Sequence, residues 1–289
     1  MPFRRVQTLL TALLLLAGGP LVRPAAAQLA GQDTPAELEG VGIDERLGET
    51  VPHGLVFRDA DGEAVRLGDY FDGERPVLLN LVYHDCPMLC NLILDKLTAT
   101  LRAMDWVPGG EFEVLTVSFN AIETPALAAR QKARYVADLG VPEAAAGWHF
   151  LTGDTTAVDA LTDAVGFRYR WVERQQEFAH PAALIFLGGD GRIMRYLYGF
   201  DFPPADVRRA LVEASEGRVG TTLDQVLLFC FQYDPQANSY VPHAINLMKV
   251  GGLLTLLALL ATLAVFWRRE RGDARAASPA RWAATLHET

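Results

Sequence analysis

The stretch PVLLNLVYHDCPMLC, residues 76–90, joins a continuous apolar run to two cysteines. A run of this kind is typical of a strand at the centre of a sheet that is covered on both faces. The residues that follow, MLCNLILDKLTATLRAM, repeat their apolar positions with helical spacing. We therefore predict a buried strand followed by a helix that opens at the cysteines. Cys86 and Cys90 are four apart, a spacing that brings both sulfurs to one face of the first turn.

Strand and helix patterns alternate on both sides of this stretch. Asp61-Gly62 predicts a hairpin, and a second one is predicted near Asp190-Gly191. Further strands are expected in EFEVLTVSFN, WHFLTG and FRYRWV, and further helices in TPALAARQKARYVADLG, DTTAVDALTDAVG and PPADVRRALVEASEG. This order predicts an α/β fold with a central mixed sheet flanked by helices.

The two ends of the chain predict export and a membrane tether. Residues 1–27 have a basic start, a short apolar core and an Ala-x-Ala site, the pattern of a cleaved signal peptide. The apolar stretch near the other end predicts a transmembrane helix over residues 246–267. Four arginines in RRERGDAR follow it, so the positive-inside rule places residues 268–289 in the cytoplasm and the domain outside.

The remaining residues divide into three parts. We predict an extended lead-in over residues 28–53, one α/β domain over residues 54–217 and a membrane-proximal segment over residues 218–245. Without the +3 of residues 1–27 and the +2 of residues 268–289, the formal charge of −9 becomes −14. So acidic a domain repels nucleic acid and anionic lipid and suits a cationic or metal-bearing partner. Three cysteines are too few for a disulfide-stapled scaffold.

The cysteine pair fits more than one chemistry. A helix N-terminus favours the thiolate, the form that both ligates metals and attacks disulfides. A soft cation such as Cu(I) accepts two thiolates and gains from an imidazole, which His180 in QEFAHPAALIF offers just before a predicted core strand. A redox or disulfide pair and two inert buried thiols are the alternatives. The residues alone leave all three open.

The chain resembles the Sco/SenC proteins, thioredoxin-fold copper chaperones that help to assemble the binuclear copper centre of cytochrome c oxidase. Four blocks between Gly54 and Gly217 carry the resemblance: YHDCPMLC, VSFNAIETP, WHFLTG and FAHPAALIFLGGDGRI. The resemblance implies a thioredoxin-like fold and a copper ion held by Cys86, Cys90 and His180. It also implies that the partner is the copper-receiving subunit of a cytochrome c oxidase, met on the periplasmic side of the cytoplasmic membrane.

Several positions depart from the family's pattern. Many relatives have Asp between the cysteines and Pro after the second, where this chain has Met88 or Leu89 and Asn91. Asn120 stands where Asp is frequent, and Pro181 follows the histidine in place of a small residue. Most relatives are tethered at the N-terminus. These differences concern the oxidase that is served and the way in which it docks.

We therefore expect a copper-binding assembly factor rather than a turnover enzyme. The alternative is a thiol–disulfide oxidoreductase that uses Cys86 and Cys90 to keep the copper-site cysteines of the oxidase reduced. A weaker rival is a peroxiredoxin-like thiol peroxidase, which needs an activating arginine; none lies close to Cys86 in sequence.

Other residues receive plainer interpretations. His84 and Asp85 are read as polar residues at a strand end, with a role in orienting a ligand as the alternative. Glu123 is explained by the helix that begins after it, and His149 by packing in its strand. Cys230 is expected to be an inert buried thiol, with a resolving thiol or a copper contact shared with His243 as alternatives. The nearby aromatic residues predict a belt at the bilayer surface; they are Phe229, Phe231, Tyr233 and Tyr240.

Overall fold

The computed structural model describes residues 39–85, 89–216, 218, 220–221, 224, 227–228, 231–234, 239–242 and 244–276. The chain divides into two compact units, residues 1–39 and 40–289, and all of the described residues except Glu39 belong to the second. The predicted signal peptide, Cys86, Met88, Cys230 and His243 lie outside the described residues, and Cys90 is described by its backbone alone.

Strands and helices alternate along the described chain. The strands are β1 (Gly42–Ile43), β2 (Val56–Arg58), β3 (Ala64–Arg66), β4 (Val77–Val82), β5 (Glu113–Ser118), β6 (Trp148–Leu151), β7 (Phe167–Arg168), β8 (Arg170–Val172), β9 (Glu177–Ala179), β10 (Ala183–Leu187), β11 (Ile193–Tyr198), β12 (Phe231–Asp234) and β13 (Ser239–Pro242). The helices are α1 (Leu89–Ala103), α2 (Pro125–Leu139), α3 (Thr155–Ala164), α4 (Pro204–Ala214) and α5 (Ala244–Ala276). Short 3₁₀ turns occupy Leu67–Tyr70 and Pro142–Ala146.

A five-stranded sheet forms the centre, in the order β11-β10-β4-β5-β6. β4, β5 and β6 are parallel, whereas β10 is antiparallel to both β4 and β11. Every residue of β4, β5 and β10 is buried, as the continuous apolar runs predict. Helix α2 contacts β6, α4 contacts β10 and β11, and α1 contacts both α2 and α4. The predicted fold, a mixed sheet with flanking helices, is confirmed.

Local sequence signals place most element ends where they were predicted. Helix α2 has Pro125 in its first turn and ends at Gly140, whose φ of 76° is the left-handed conformation that glycine adopts without strain. The Asp154 side chain accepts a hydrogen bond from the Ala157 amide and caps α3. The hairpins predicted at Asp61-Gly62 and Asp190-Gly191 are β2–β3 and β10–β11.

Two predicted boundaries differ from the structure. FRYRWV is not one strand, because it divides at Tyr169 into β7, which pairs with β1, and β8, which pairs with β9. The Tyr169 ring instead packs against Phe119 at a centroid distance of 4.6 Å. The extended lead-in is also part of the packed unit from Gly42 onward, because β1 pairs with β7 and Val51 is buried beside Gly191.

The predicted aromatic belt is wrong for Tyr240, which is buried against the domain and donates a hydrogen bond to Glu213 at 2.5 Å. The β12–β13 hairpin also sets Phe231 beneath the Arg209 guanidinium and Tyr233 beneath that of Arg195. These three rings therefore pack against side chains of the domain. Phe229 lies outside the described residues.

Helix α5 begins two residues after β13 and contains the apolar stretch Met248–Val265, none of which is buried. By length and composition it is the one helix among the described residues that is able to cross a membrane. The predicted transmembrane helix, residues 246–267, lies inside α5, and the helix continues into the predicted tail as far as Ala276.

Candidate metal centre

The cysteine loop leaves the sheet at the carboxyl end of its parallel strands. β4 ends at Val82, and the backbone of helix α1 begins at Leu89, so that Cys90 lies in its first turn. The carboxyl ends of parallel strands form the edge at which α/β proteins bind their ligands. No group of three His, Cys, Asp or Glu side chains able to hold a metal occurs in the part of the chain that the structure describes. That part lacks Cys86 and the Cys90 side chain.

His180 lies at the same edge. It stands between β9 and β10, and β10 runs antiparallel to β4 with Leu184 opposite Asn80. This register brings the residues before β10 beside those after β4. The rings of His180 and Tyr83 are 6.0 Å apart, and Tyr83 precedes Cys86 by three residues. Sheet pairing thus brings the predicted imidazole ligand to the start of the cysteine loop, and the three-residue ligand set stays a prediction.

Aromatic rings hold the His180 imidazole in place. The side chain is buried, with Phe119 at 5.1 Å and Phe167 at 6.3 Å between ring centroids. Its Nδ1 lies 2.9 Å from the Pro181 carbonyl oxygen. A proton on Nδ1, donated to that oxygen, leaves the lone pair on Nε2, the tautomer that ligates a metal.

Glu123 contacts the main chain directly before Cys86, a role that sequence reasoning missed. The His84 and Asp85 amides donate to its two carboxylate oxygens at 2.7 and 2.8 Å. The Ser118 hydroxyl donates to the same carboxylate at 2.6 Å. A glutamate placed just before the helix cap Thr124, and not in the first turn, was the available signal, since there it has no capping role.

His84 is a buried core residue. Its ring packs against Phe150, and Nε2 lies 3.3 Å from the Leu151 carbonyl oxygen. Nδ1 has no hydrogen-bond partner among the described residues. Burial lowers the pKa of His84, outweighing the nearby Glu123 carboxylate, so the ring is neutral near pH 7. Asp85 is exposed.

His149 lies at the other end of the sheet, as its strand position predicts. Its Nε2 is 3.0 Å from the Glu113 carboxylate, and its ring packs against Tyr70. These contacts account for the residue without a role in metal binding.

The SCO1/SenC family model matches residues 49–215, more than half of the chain. The chain therefore belongs to the SCO1/SenC family, and its central domain has the thioredoxin-like fold of that family. No curated protein sequence matches the chain.

Solved structures are similar over the same domain. A protein of Aquifex aeolicus VF5, provisionally described as an electron transfer protein, is 25% identical with a TM-score of 0.52, over 58% of this chain and 94% of its own. ScoI of Bradyrhizobium japonicum, solved with copper bound, is 20% identical with a TM-score of 0.44, over 57% and 99%. BsSco, described with a disulfide switch as a member of the Sco family of cytochrome c oxidase assembly proteins, is 19% identical with a TM-score of 0.47, over 60% and 97%.

Proposed function

We propose that the chain is a membrane-tethered extracytoplasmic copper chaperone that binds its cargo through Cys86, Cys90 and His180. The copper would then pass to the copper-receiving subunit of a cytochrome c oxidase. Membership of the SCO1/SenC family supports this proposal. The observation that carries it is the position of His180, whose buried ring lies beside Tyr83 at the start of the cysteine loop.

The donor set suits copper. Two thiolates and one imidazole are soft and intermediate ligands that favour Cu(I) over magnesium or calcium. The start of α1 at Leu89 puts the positive end of a helix dipole beside the cysteines, which favours their thiolate form. The aromatic rings around His180 fix one ligand before copper arrives. Transfer then proceeds by exchange of these ligands for those of the recipient, without net oxidation or reduction.

Two features extend the proposal to partners and location. The charge of −14 over residues 28–267 favours a recipient whose docking surface is cationic or carries metal. The apolar part of α5 would span the cytoplasmic membrane, and the arginines after it, Arg268, Arg269 and Arg271, would stay in the cytoplasm. The domain would then face the periplasmic or extracytoplasmic side, in agreement with the predicted signal peptide.

A Cu(I) competition titration of the full-length protein in detergent tests the ligand set. Cys86→Ser and Cys90→Ser should each abolish tight binding of one equivalent. His180→Ala should weaken Cu(I) binding by about 100-fold, because loss of a ligand should cost at least as much as loss of a residue that only orients one. His53→Ala is the matched control, because this histidine is exposed and stacks on Phe71 away from the cysteine loop. Unchanged affinity and stoichiometry in Cys86→Ser or His180→Ala would contradict the proposal.

A thiol–disulfide oxidoreductase that keeps the oxidase cysteines reduced is the second candidate. The observation in its favour is that Cys90 lies in the first turn of α1, since thiolate attack on a disulfide needs the same activation. His180 separates the two functions, because a reductase needs both thiols but not this imidazole. Oxidase assembly in cells that survives His180→Ala, yet fails with either cysteine variant, would favour the reductase.

A further inference from the structure

We infer that Glu123 is a positioning residue for the cysteine loop: its carboxylate holds the main chain ahead of Cys86 in the path that metal binding requires. The inference rests on the proposed function for its link to copper, whereas the contact itself belongs to the metal-free protein. Glu123 touches neither the cargo nor a proposed ligand among the described contacts, and acts through the backbone of His84 and Asp85.

A positioning residue is needed because the chain leaves the sheet at the end of β4. The ladder between β4 and β5 closes with the Phe119 amide donating to the Val82 carbonyl oxygen at 2.8 Å. Beyond Val82 the chain leaves the sheet, and its amides require other acceptors. The two oxygens of Glu123 take one amide each, from His84 and from Asp85. Hydrogen bonds to an ionised acceptor are shorter and stronger than those between neutral groups.

Further hydrogen bonds hold Glu123 itself in place. The Ser118 hydroxyl at the end of β5 donates to Oε2, and the Glu123 amide donates to the Asn120 carbonyl oxygen at 3.1 Å. Helix α2 contributes Gln131, whose side-chain amide donates to the His84 carbonyl oxygen at 2.6 Å. Side chains from two connected segments thus fix three main-chain groups of the residues just before Cys86.

The partners of Glu123 indicate positioning rather than general stabilisation. No lysine or arginine forms an ion pair with this carboxylate among the residues that the structure describes. All three groups that donate hydrogen bonds to the carboxylate are uncharged, and two of them belong to the segment that leads to Cys86. A loop that is already ordered before copper arrives loses less conformational entropy on binding.

Glu123→Gln in the full-length protein in detergent tests the inference. Glutamine keeps the size of the side chain but presents an NH₂ group to one of the two amides. Hydrogen–deuterium exchange of the metal-free protein should show faster exchange, by about tenfold, in peptides that contain His84 and Asp85. Cu(I) affinity should fall by about tenfold, the entropy of roughly one residue that must be ordered on binding, with one equivalent still bound. In a separate sample loaded with one equivalent of Cu(II), the sulfur-to-Cu(II) charge-transfer band should shift, because the thiolates are held less firmly.

Two further variants serve as a matched control and as an independent test of the same contact. Glu143→Gln makes the same charge change at an exposed glutamate of the Pro142–Ala146 turn and should leave exchange and affinity unchanged. Gln131→Ala removes only the bond to the His84 carbonyl oxygen and should act in the same direction by about threefold, which covers the case in which Glu123→Gln does not fold.

The outcomes separate the two claims. Unchanged exchange near His84 and Asp85 in Glu123→Gln would overturn the positioning role. Faster exchange with unaltered copper affinity and an unaltered band would overturn it too, because the contact would then not serve the site. If the unsubstituted protein binds no copper, the proposed function fails, while the exchange experiment still reports on the contact.

Discussion

Two glutamates lie near opposite ends of β5, and the donors that surround them differ. Glu113 opens the strand, is buried, forms an ion pair with Arg75, and lies 3.0 Å from His149 Nε2. Glu123 follows the strand, is partly buried, and accepts its hydrogen bonds from two main-chain amides and a hydroxyl. One carboxylate joins side chains to one another, and the other holds a segment of backbone.

The two ends of β5 also differ in how tightly the surrounding segments pack. At the amino end, a Cβ atom on Gly147 would lie 1.8 Å from the Gly109 nitrogen, so that the two loops meet in direct backbone contact. At the carboxyl end, a groove of about 380 Å³ lies beside Glu123, lined in part by Pro125 and Thr152. At the amino end backbone packs against backbone, whereas at the carboxyl end individual hydrogen bonds from Glu123 hold the segment that leads to Cys86.

The largest effect should come from Glu113→Ala. Arg75 and His149 would lose the carboxylate between them. Arg75 is one-third exposed and keeps its contact with Asp72, so the loss should cost about 2 to 3 kcal/mol of unfolding free energy, at or below the range for a fully buried pair. Cu(I) affinity, measured well below the unfolding temperature, should stay unchanged because no contact connects Glu113 with the described part of the cysteine loop, Tyr83 to Asp85. Thermal unfolding and copper competition on the same preparation measure both quantities.

Glu63→Ala serves as the control for that experiment, because Glu63 is exposed in the β2–β3 hairpin and its loss should cost less than about 0.5 kcal/mol. If copper affinity falls as much in Glu113→Ala as in Glu123→Gln, the two ends of the sheet do not differ in their effect on the metal site.

A paired substitution of two phenylalanines sharpens the comparison. Phe119 and Phe112 flank β5 and are both fully buried, but only Phe119 contacts the His180 ring. Replacing either by leucine should cost about 1 to 2 kcal/mol of unfolding free energy, the effect of a smaller side chain in a packed core. Copper affinity should fall by about threefold in Phe119→Leu alone, because its imidazole ligand gains freedom. Equal copper affinities in the two variants would show that the ring does not constrain His180.

The fold was predictable because its signals are local. The apolar run of β4 and the β-branched residues of β5 favour strands, and the glycine and proline signals that delimit α2 act within a few residues. The division at Tyr169 was not predictable, because it depends on Phe119, fifty residues away in the chain. The same holds for Tyr240, whose burial depends on a partner in α4. Hydropathy shows that such rings need an apolar neighbour but does not show which one.

The candidate ligands were selected by their chemistry, and the ligand set stays a prediction. Cys86, Cys90 and His180 are residue types that bind metals, and their spacing together with the family resemblance selected them. Glu123 has no metal-binding spacing to mark it, and its donors are main-chain amides, which almost every residue has; its position just before the Thr124 cap was the available signal. Finding it requires knowing that β4 leaves the sheet after Val82 and that the β5–α2 loop passes beside it. That is tertiary information.

The smallest expected effect concerns Asp224, a carboxylate that combines both kinds of donor. It accepts two hydrogen bonds from Arg208, at 2.8 and 3.0 Å, and one from the Thr221 amide at 2.7 Å. The Arg208 guanidinium is the main reason that the pKa of Asp224 lies well below its usual range, with the Thr221 bonds adding to it and burial opposing it.

A carboxyl group whose pKa is lowered by folding binds protons more readily in the unfolded chain, so acid favours unfolding. The stabilisation by Asp224 should be complete above about pH 4, the usual aspartate range, and be lost as the pH falls through the folded value. Asp224→Asn should therefore cost about 1 kcal/mol at pH 7 and flatten the loss of stability below about pH 4. Asp105→Asn, which removes a more exposed partner of the same arginine, should cost less than about 0.5 kcal/mol. An unchanged acid slope in Asp224→Asn would show that neither the Arg208 guanidinium nor the Thr221 donors lower the pKa of this carboxyl in the folded protein.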